Sequence, residues 1–187
     1  SQAAGARAAA CDLMLMAAPL HDIGKLAVPA EILRRAGPLS APDWDRVRRH
    51  PEYGAAIIGE HNQALLQLAR TVALTHHEHW DGTGYPKGLK EEQIPWPGRI
   101  VAIADAFEAM TTTQFHREPL SIEQAAAEIL RGSGTRYDPA MVKAFSKALP
   151  AMRKVRAALP DKLGDIINLD FSSDERDKAG VTGKSAP

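Results

Sequence analysis

The clearest pattern in the chain runs from Ala64 to about Trp80, where Leu65, Leu68, Val72 and Leu74 recur at helical spacing before the run ends in His76-His77-Glu78-His79. That stripe predicts a helix with one face in a core. Residues 2–18 are rich in Ala, Leu and Met and lack Pro, so they read as a largely buried helix with Leu13, Leu15, Met16 and Leu20 turned inward. Pro19 kinks or restarts it just before His21. A short helix follows at Pro29-Ala30-Glu31-Ile32-Leu33, then a turn at Gly37-Pro38-Leu39-Ser40. Ser40 or Asp43 caps the next helix, which carries Trp44 and Val47. Pro51 suits the first position of a further helix, with His50 at its cap.

Between these helices, residues 81–88 hold three glycines and a proline, which excludes a regular element. Ile94-Pro95-Trp96-Pro97 is an extended approach, because a residue before Pro avoids the helical region. A helix from Arg99 to about Met110 packs Ile100, Ile103, Ala104 and Phe107, and holds Asp105 in its interior. Ser121 caps another helix, which ends at Gly132-Ser133-Gly134. Asp138 and Pro139 open the last one, with Met141, Val142, Phe145 and Leu149; residues 151–160 extend it or form a separate basic helix. The expected fold is all-α, one domain over residues 1–169, with a polar, disordered tail over 170–187.

Composition narrows the chemistry. The aromatic share is only 5% while Ala and Leu abound, which favours helices over a β-sandwich. The formal net charge of zero argues against binding DNA through bulk positive charge. The single cysteine, Cys11, permits neither a disulfide framework nor a cysteine-based zinc site, so any metal is held by imidazole and carboxylate. There is no apolar run long enough to span a membrane and no signal-peptide pattern, so the expected location is cytoplasmic.

The densest chemistry lies in Leu20-His21-Asp22-Ile23-Gly24-Lys25, where a nitrogen ligand and an anionic ligand stand side by side. If helical, His21, Asp22 and Lys25 share a face. His50, His76, His77 and Asp105 are further ligand candidates. Alone, each has a plainer role: His50 as a cap, His76-His77 as a helix C-terminus, Asp105 as a solvent-facing acid. Together they form an imidazole and carboxylate set suited to iron, manganese or zinc. Adjacent histidines on a helix diverge by roughly 100°, which fits two neighbouring metals better than one. Asp22 can bridge such a pair, a standard arrangement for phosphate-ester hydrolysis. Lys25 would meet a phosphate oxygen. His61 and His116 lack a ligand context, and His79 is at most a supporting residue.

In order, the words His21-Asp22-Ile23-Gly24-Lys25, His50-Pro51-Glu52-Tyr53-Gly54, His76-His77-Glu78, Asp81-Gly82-Thr83-Gly84-Tyr85-Pro86 and Ile94-Pro95 with Arg99–Asp105 resemble those of HD-GYP domains, a branch of the HD phosphohydrolases. The resemblance runs from about Ala17 to Phe145. It implies a compact helical bundle around a central di- or tri-metal site, usually iron or manganese. It also implies hydrolysis of cyclic di-GMP to pGpG, and in some members on to GMP. By position, His21, Asp22, His50, His76, His77 and Asp105 become metal ligands, and Lys25 and Asp22 the catalytic pair. Lys25, Gly84, Tyr85, Pro86 and Arg117 contact substrate. The Gly-Tyr-Pro loop is tied to contacts with GGDEF-type cyclases, and a sensor or receiver domain is expected upstream.

Two departures qualify the match. The family carries a further His, and in trinuclear members a Glu, on a helix upstream of where this chain begins, so either the N-terminal helix is truncated or the site is incomplete. Gln114 stands where the family commonly has Arg, which predicts weaker substrate binding. The alternative function is therefore a catalytically weak cyclic di-GMP receptor or a GGDEF-binding module.

Overall fold

The computed structural model describes residues 1–35, 37–113 and 118–158, and among them it contains helices and no strands. The helices are α1 (Ala8–Ala17), α2 (Ala30–Leu33), α3 (Ala41–Val47), α4 (His50–Ile58), α5 (Ala64–Thr75), α6 (Trp96–Thr111), α7 (Ile122–Arg131) and α8 (Pro139–Ala158). Short 3-10 turns join them, including Ala18–Leu20 and Ile23–Ala27 on either side of the His-Asp pair. The expected tail, residues 170–187, lies outside the described residues, as do Gln114, His116 and Arg117.

Local signals place most boundaries. The Ser40 hydroxyl accepts the Asp43 amide at the start of α3. Ser121 and Gln124 close a reciprocal capping box on α7, satisfying two amide donors that the first helical turn leaves open. Asp138 accepts the Ala140 amide at 2.7 Å, and its other oxygen takes Arg99 Nη1 at 2.8 Å, tying the start of α8 to α6. Helix α8 runs through Pro150 to Ala158, so the basic stretch continues the helix.

The core has two lobes. Ile103, Phe107, Ala125, Ile129, Val142 and Phe145 join α6, α7 and α8. Ala17, Ile58, Ala69 and Ala73 join α1, α4 and α5. Met14, Val72 and Val101 pack together where α1, α5 and α6 meet. Helix α1 turns a different face inward from the one its sequence predicts. Met14 and Ala17 are buried, whereas Leu15 is 77% and Met16 53% exposed. Leu13 and Leu20 are only partly buried. The segment is apolar all round, so periodicity does not choose a face; packing on α5 does.

The 3-10 turn Ile23–Ala27 lies directly on α4. A Cβ on Gly24 would sit 1.9 Å from the His50 carbonyl oxygen and 2.4 Å from the Gly54 nitrogen. Only a bare backbone fits there, and this approach sets Asp22 beside His50.

Candidate metal centre

Four elements converge on one point. The junction between two 3-10 turns supplies His21 and Asp22, the first turn of α4 supplies His50, the end of α5 supplies His76 and His77, and the middle of α6 supplies Asp105. Two ligand groups result, Asp22 with His50, His76 and His77, and His21 with Asp22 and Asp105; within each, the donor atoms lie within 4.8 Å of one another. Asp22 belongs to both. Its Oδ1 lies 3.3 Å from His50 Nε2 and 3.7 Å from His76 Nε2, and its Oδ2 lies 3.3 Å from His21 Nε2. Asp105 Oδ1 is 3.4 Å from the same His21 nitrogen.

Hydrogen bonding from behind orients the rings. His21 Nδ1 donates to the Ala18 carbonyl at 2.9 Å, His50 Nδ1 to Val47 at 2.7 Å, and His76 Nδ1 to Val72 and Ala73 at 3.1 and 3.0 Å. A carbonyl can only accept, so each Nδ1 carries the proton and each Nε2 of a neutral ring presents a lone pair inward. His50 and His76 are almost fully buried, and their Nε2 atoms stand 3.3 Å apart. Asp22 Oδ1 is buried without a hydrogen-bond partner among the described residues. Lone pairs and carboxylates aimed at one another favour a cation between them, and the donor set is compatible with a divalent metal site.

Burial opposes protonation of His21, but Asp105 and Asp22 outweigh it and raise His21 to about 10. Burial likewise opposes ionisation of Asp22, yet His21, His50 and His76 hold its carboxyl far below the usual range. His77 is pushed down, by burial first and then by His76 and His50.

The adjacent histidines do not divide between the two groups as a helical wheel predicts. Helix α5 ends at Thr75, so His76 caps it and His77 lies beyond it; both fall in the group with His50. His79 and His61 stand outside both groups, His79 near the Thr83 hydroxyl and His61 on the Ile58 carbonyl. Lys25 Nζ reaches Asp22 Oδ2 at 2.5 Å while remaining 44% exposed.

The loop after α5 folds back over the cluster. Tyr85 stacks on His77 with ring centroids 4.8 Å apart, and its amide donates to the His77 carbonyl. Burial raises the Tyr85 phenol to about 12. A Cβ on Gly84 would lie 2.2 Å from the His79 nitrogen, so the loop backbone rests on residues 78–79.

Two contributors escape sequence reasoning. Glu78 is buried and accepts the amides of Lys87 at 2.8 Å and Leu89 at 2.9 Å, pinning the far side of the loop. Its signal was an acid just past a helix C-terminus, where negative charge is unfavourable unless it has a partner. Arg48 places its guanidinium 5.8 Å from the Tyr85 ring centroid. Glu78→Gln is expected to turn one acceptor into a donor facing an amide and to destabilise the protein by about 1–3 kcal/mol. Urea unfolding of the two proteins measures it, and coincident curves would refute the loop-pinning role.

A profile of the HD-domain family matches residues 1–141, and the chain belongs to that family. It is 39% identical over 171 residues to a cyclic di-GMP phosphodiesterase of Thermotoga maritima, covering 91% of this chain and 44% of the relative. It is 39% identical over 150 residues to 3'3'-cGAMP-specific phosphodiesterase 2 of Vibrio cholerae, covering 80% of this chain and 29% of the relative. A cyclic di-GMP phosphodiesterase of Vibrio cholerae is 41% identical over 139 residues, 72% of this chain and 28% of the relative. The chain thus spans less than half the length of these curated relatives. No helix among the described residues is long and apolar enough to cross a membrane.

Proposed function

We propose that the chain is a metal-dependent phosphodiesterase domain that hydrolyses cyclic di-GMP to pGpG. The observation that carries this is Asp22, a carboxylate shared between two ligand groups whose other members are oriented imidazoles and Asp105. His21, Asp22, His50, His76, His77 and Asp105 would hold two divalent ions, with iron or manganese the best match to imidazole and carboxylate donors. When bound, such a pair lowers the pKa of a water and neutralises charge at phosphorus. The relatives' names point to cyclic dinucleotides as the substrate class.

The remaining residues supply position and charge. Lys25, tethered to Asp22 yet exposed, meets a nonbridging phosphate oxygen at the mouth of the cluster. Tyr85 stays protonated at neutral pH and offers a phenol donor beside His77, within the Gly84-Tyr85-Pro86 loop that faces substrate. Water adds to phosphorus, the bond to the ribose 3' oxygen breaks, and that oxygen takes up a proton. Arg117, outside the described residues, completes the substrate contacts in this reading. GGDEF-type cyclases as partners of the loop, and a sensor or receiver domain elsewhere in the protein, extend the same proposal.

The test is anaerobic turnover of cyclic di-GMP with ferrous or manganous ion, with 3'3'-cGAMP as competitor substrate. The proposal expects pGpG to accumulate. Preferred cleavage of 3'3'-cGAMP would reassign the substrate within the class, and turnover of neither would overturn the enzyme.

A further inference from the structure

Beside the cluster lies a cavity of about 550 Å³, walled by α6, α7 and the turn before α8. Asp105, one of the candidate ligands, lines it, so the cavity borders the candidate metal centre. Its size is in the range of small-molecule sites. Two arginines stand on its wall, Arg131 and Arg136. Arg131 is already engaged, its Nη1 donating to both carboxylate oxygens of Glu128 at 2.9 and 2.8 Å. Arg136 has no carboxylate within salt-bridge distance among the described residues, and its guanidinium lies 5.4 Å from the Tyr137 ring centroid.

The backbone around Arg136 is held firmly. Its carbonyl accepts the Trp80 amide, and the Thr135 carbonyl accepts the Asp81 amide at 2.8 Å. Within the turn, Gly134 donates to the Tyr137 carbonyl and Tyr137 to the Gly132 carbonyl. The turn is therefore clamped to the base of the Gly84-Tyr85-Pro86 loop, so the backbone that carries Arg136 is fixed at the cavity wall.

A cyclic dinucleotide carries two phosphodiesters. One must sit at the metal cluster and Lys25; the other keeps its charge and needs a separate partner. We propose that the α6–α7 cavity is the subsite for the non-scissile phosphate and its attached nucleoside, with Arg136 holding that phosphate. This rests on the cyclic-dinucleotide reading above. A guanidinium fork suits two phosphate oxygens at once, which an ammonium does not match.

The experiment compares the wild-type chain, Arg136→Gln and Arg136→Lys on cyclic di-GMP and on bis(p-nitrophenyl) phosphate, which has one phosphate. Loss of a charge-assisted contact in Arg136→Gln should raise the ratio of the two KM values about tenfold. Arg136→Lys should recover part of it. Displacement of a fluorescent cyclic di-GMP analogue, read without turnover, should weaken by a similar factor. An unchanged ratio and affinity would overturn the subsite while leaving the phosphodiesterase intact. Wild-type cleavage of bis(p-nitrophenyl) phosphate with no cleavage or binding of any cyclic dinucleotide would overturn both.

Discussion

Asp22→Ala should remove metal-dependent phosphodiester hydrolysis, by about a thousandfold or more. Asp22 is the one residue common to both ligand groups, and its two oxygens face different histidines. Its loss removes a ligand from each group at once, whereas loss of His50 or Asp105 affects one. Metal-centred charge stabilisation is worth several kcal/mol, and each ~1.4 kcal/mol is a decade in rate. The variant also frees Lys25 from its tether, so the phosphate contact proposed for Lys25 should weaken in parallel. Metal content after dialysis should fall together with turnover. A variant that keeps its full complement of ions and more than a tenth of its rate would rule out the bridging role.

Gly24→Ala should be nearly as damaging, although Gly24 has no chemistry. The added Cβ would lie 1.9 Å from the His50 oxygen, where real contacts stay above 3.0 Å, so the turn must retreat by more than 1 Å. Backbone atoms on both sides leave no flexible side chain to yield. Overpacking of this kind costs about 1–3 kcal/mol, or roughly 2–12 °C in Tm for a domain of this size. Because Asp22 rides on that turn, a shift of about 1 Å should also lower activity about a hundredfold. Thermal unfolding and turnover check the two effects separately. Wild-type values for both would mean that the turn and α4 do not meet as closely as described.

Much of this was legible beforehand. Helix caps at Ser40, Ser121 and Asp138 were readable because a cap is local: a short polar side chain satisfies an amide two or three residues away. The buried stripe of α5 was readable because its polar positions mark the face that meets solvent. Helix α1 offers no such marks, and it buries Met14 and Ala17 in place of the expected Leu15 and Met16. Helix α5 ends at Thr75, short of the expected run to about Trp80. That difference matters, because two histidines on a helix diverge, whereas His76 at the cap and His77 beyond it converge.

Residue order alone was sufficient for the all-α class, for the inventory of imidazoles and carboxylates, and for the loop at residues 81–88. Those follow from spacing, composition and short-range hydrogen bonding. It named the six candidate ligands as types at positions, without showing that they meet. Their convergence comes from tertiary packing: a glycine that lets two backbones touch, carbonyls that turn three Nε2 atoms inward, and a buried Glu78 that folds the loop over His77. The cavity beside Asp105, with Arg136 on its wall, also exists only once α6, α7 and the turn before α8 are packed together. Contacts between residues far apart in the chain depend on the whole core, which no local pattern encodes.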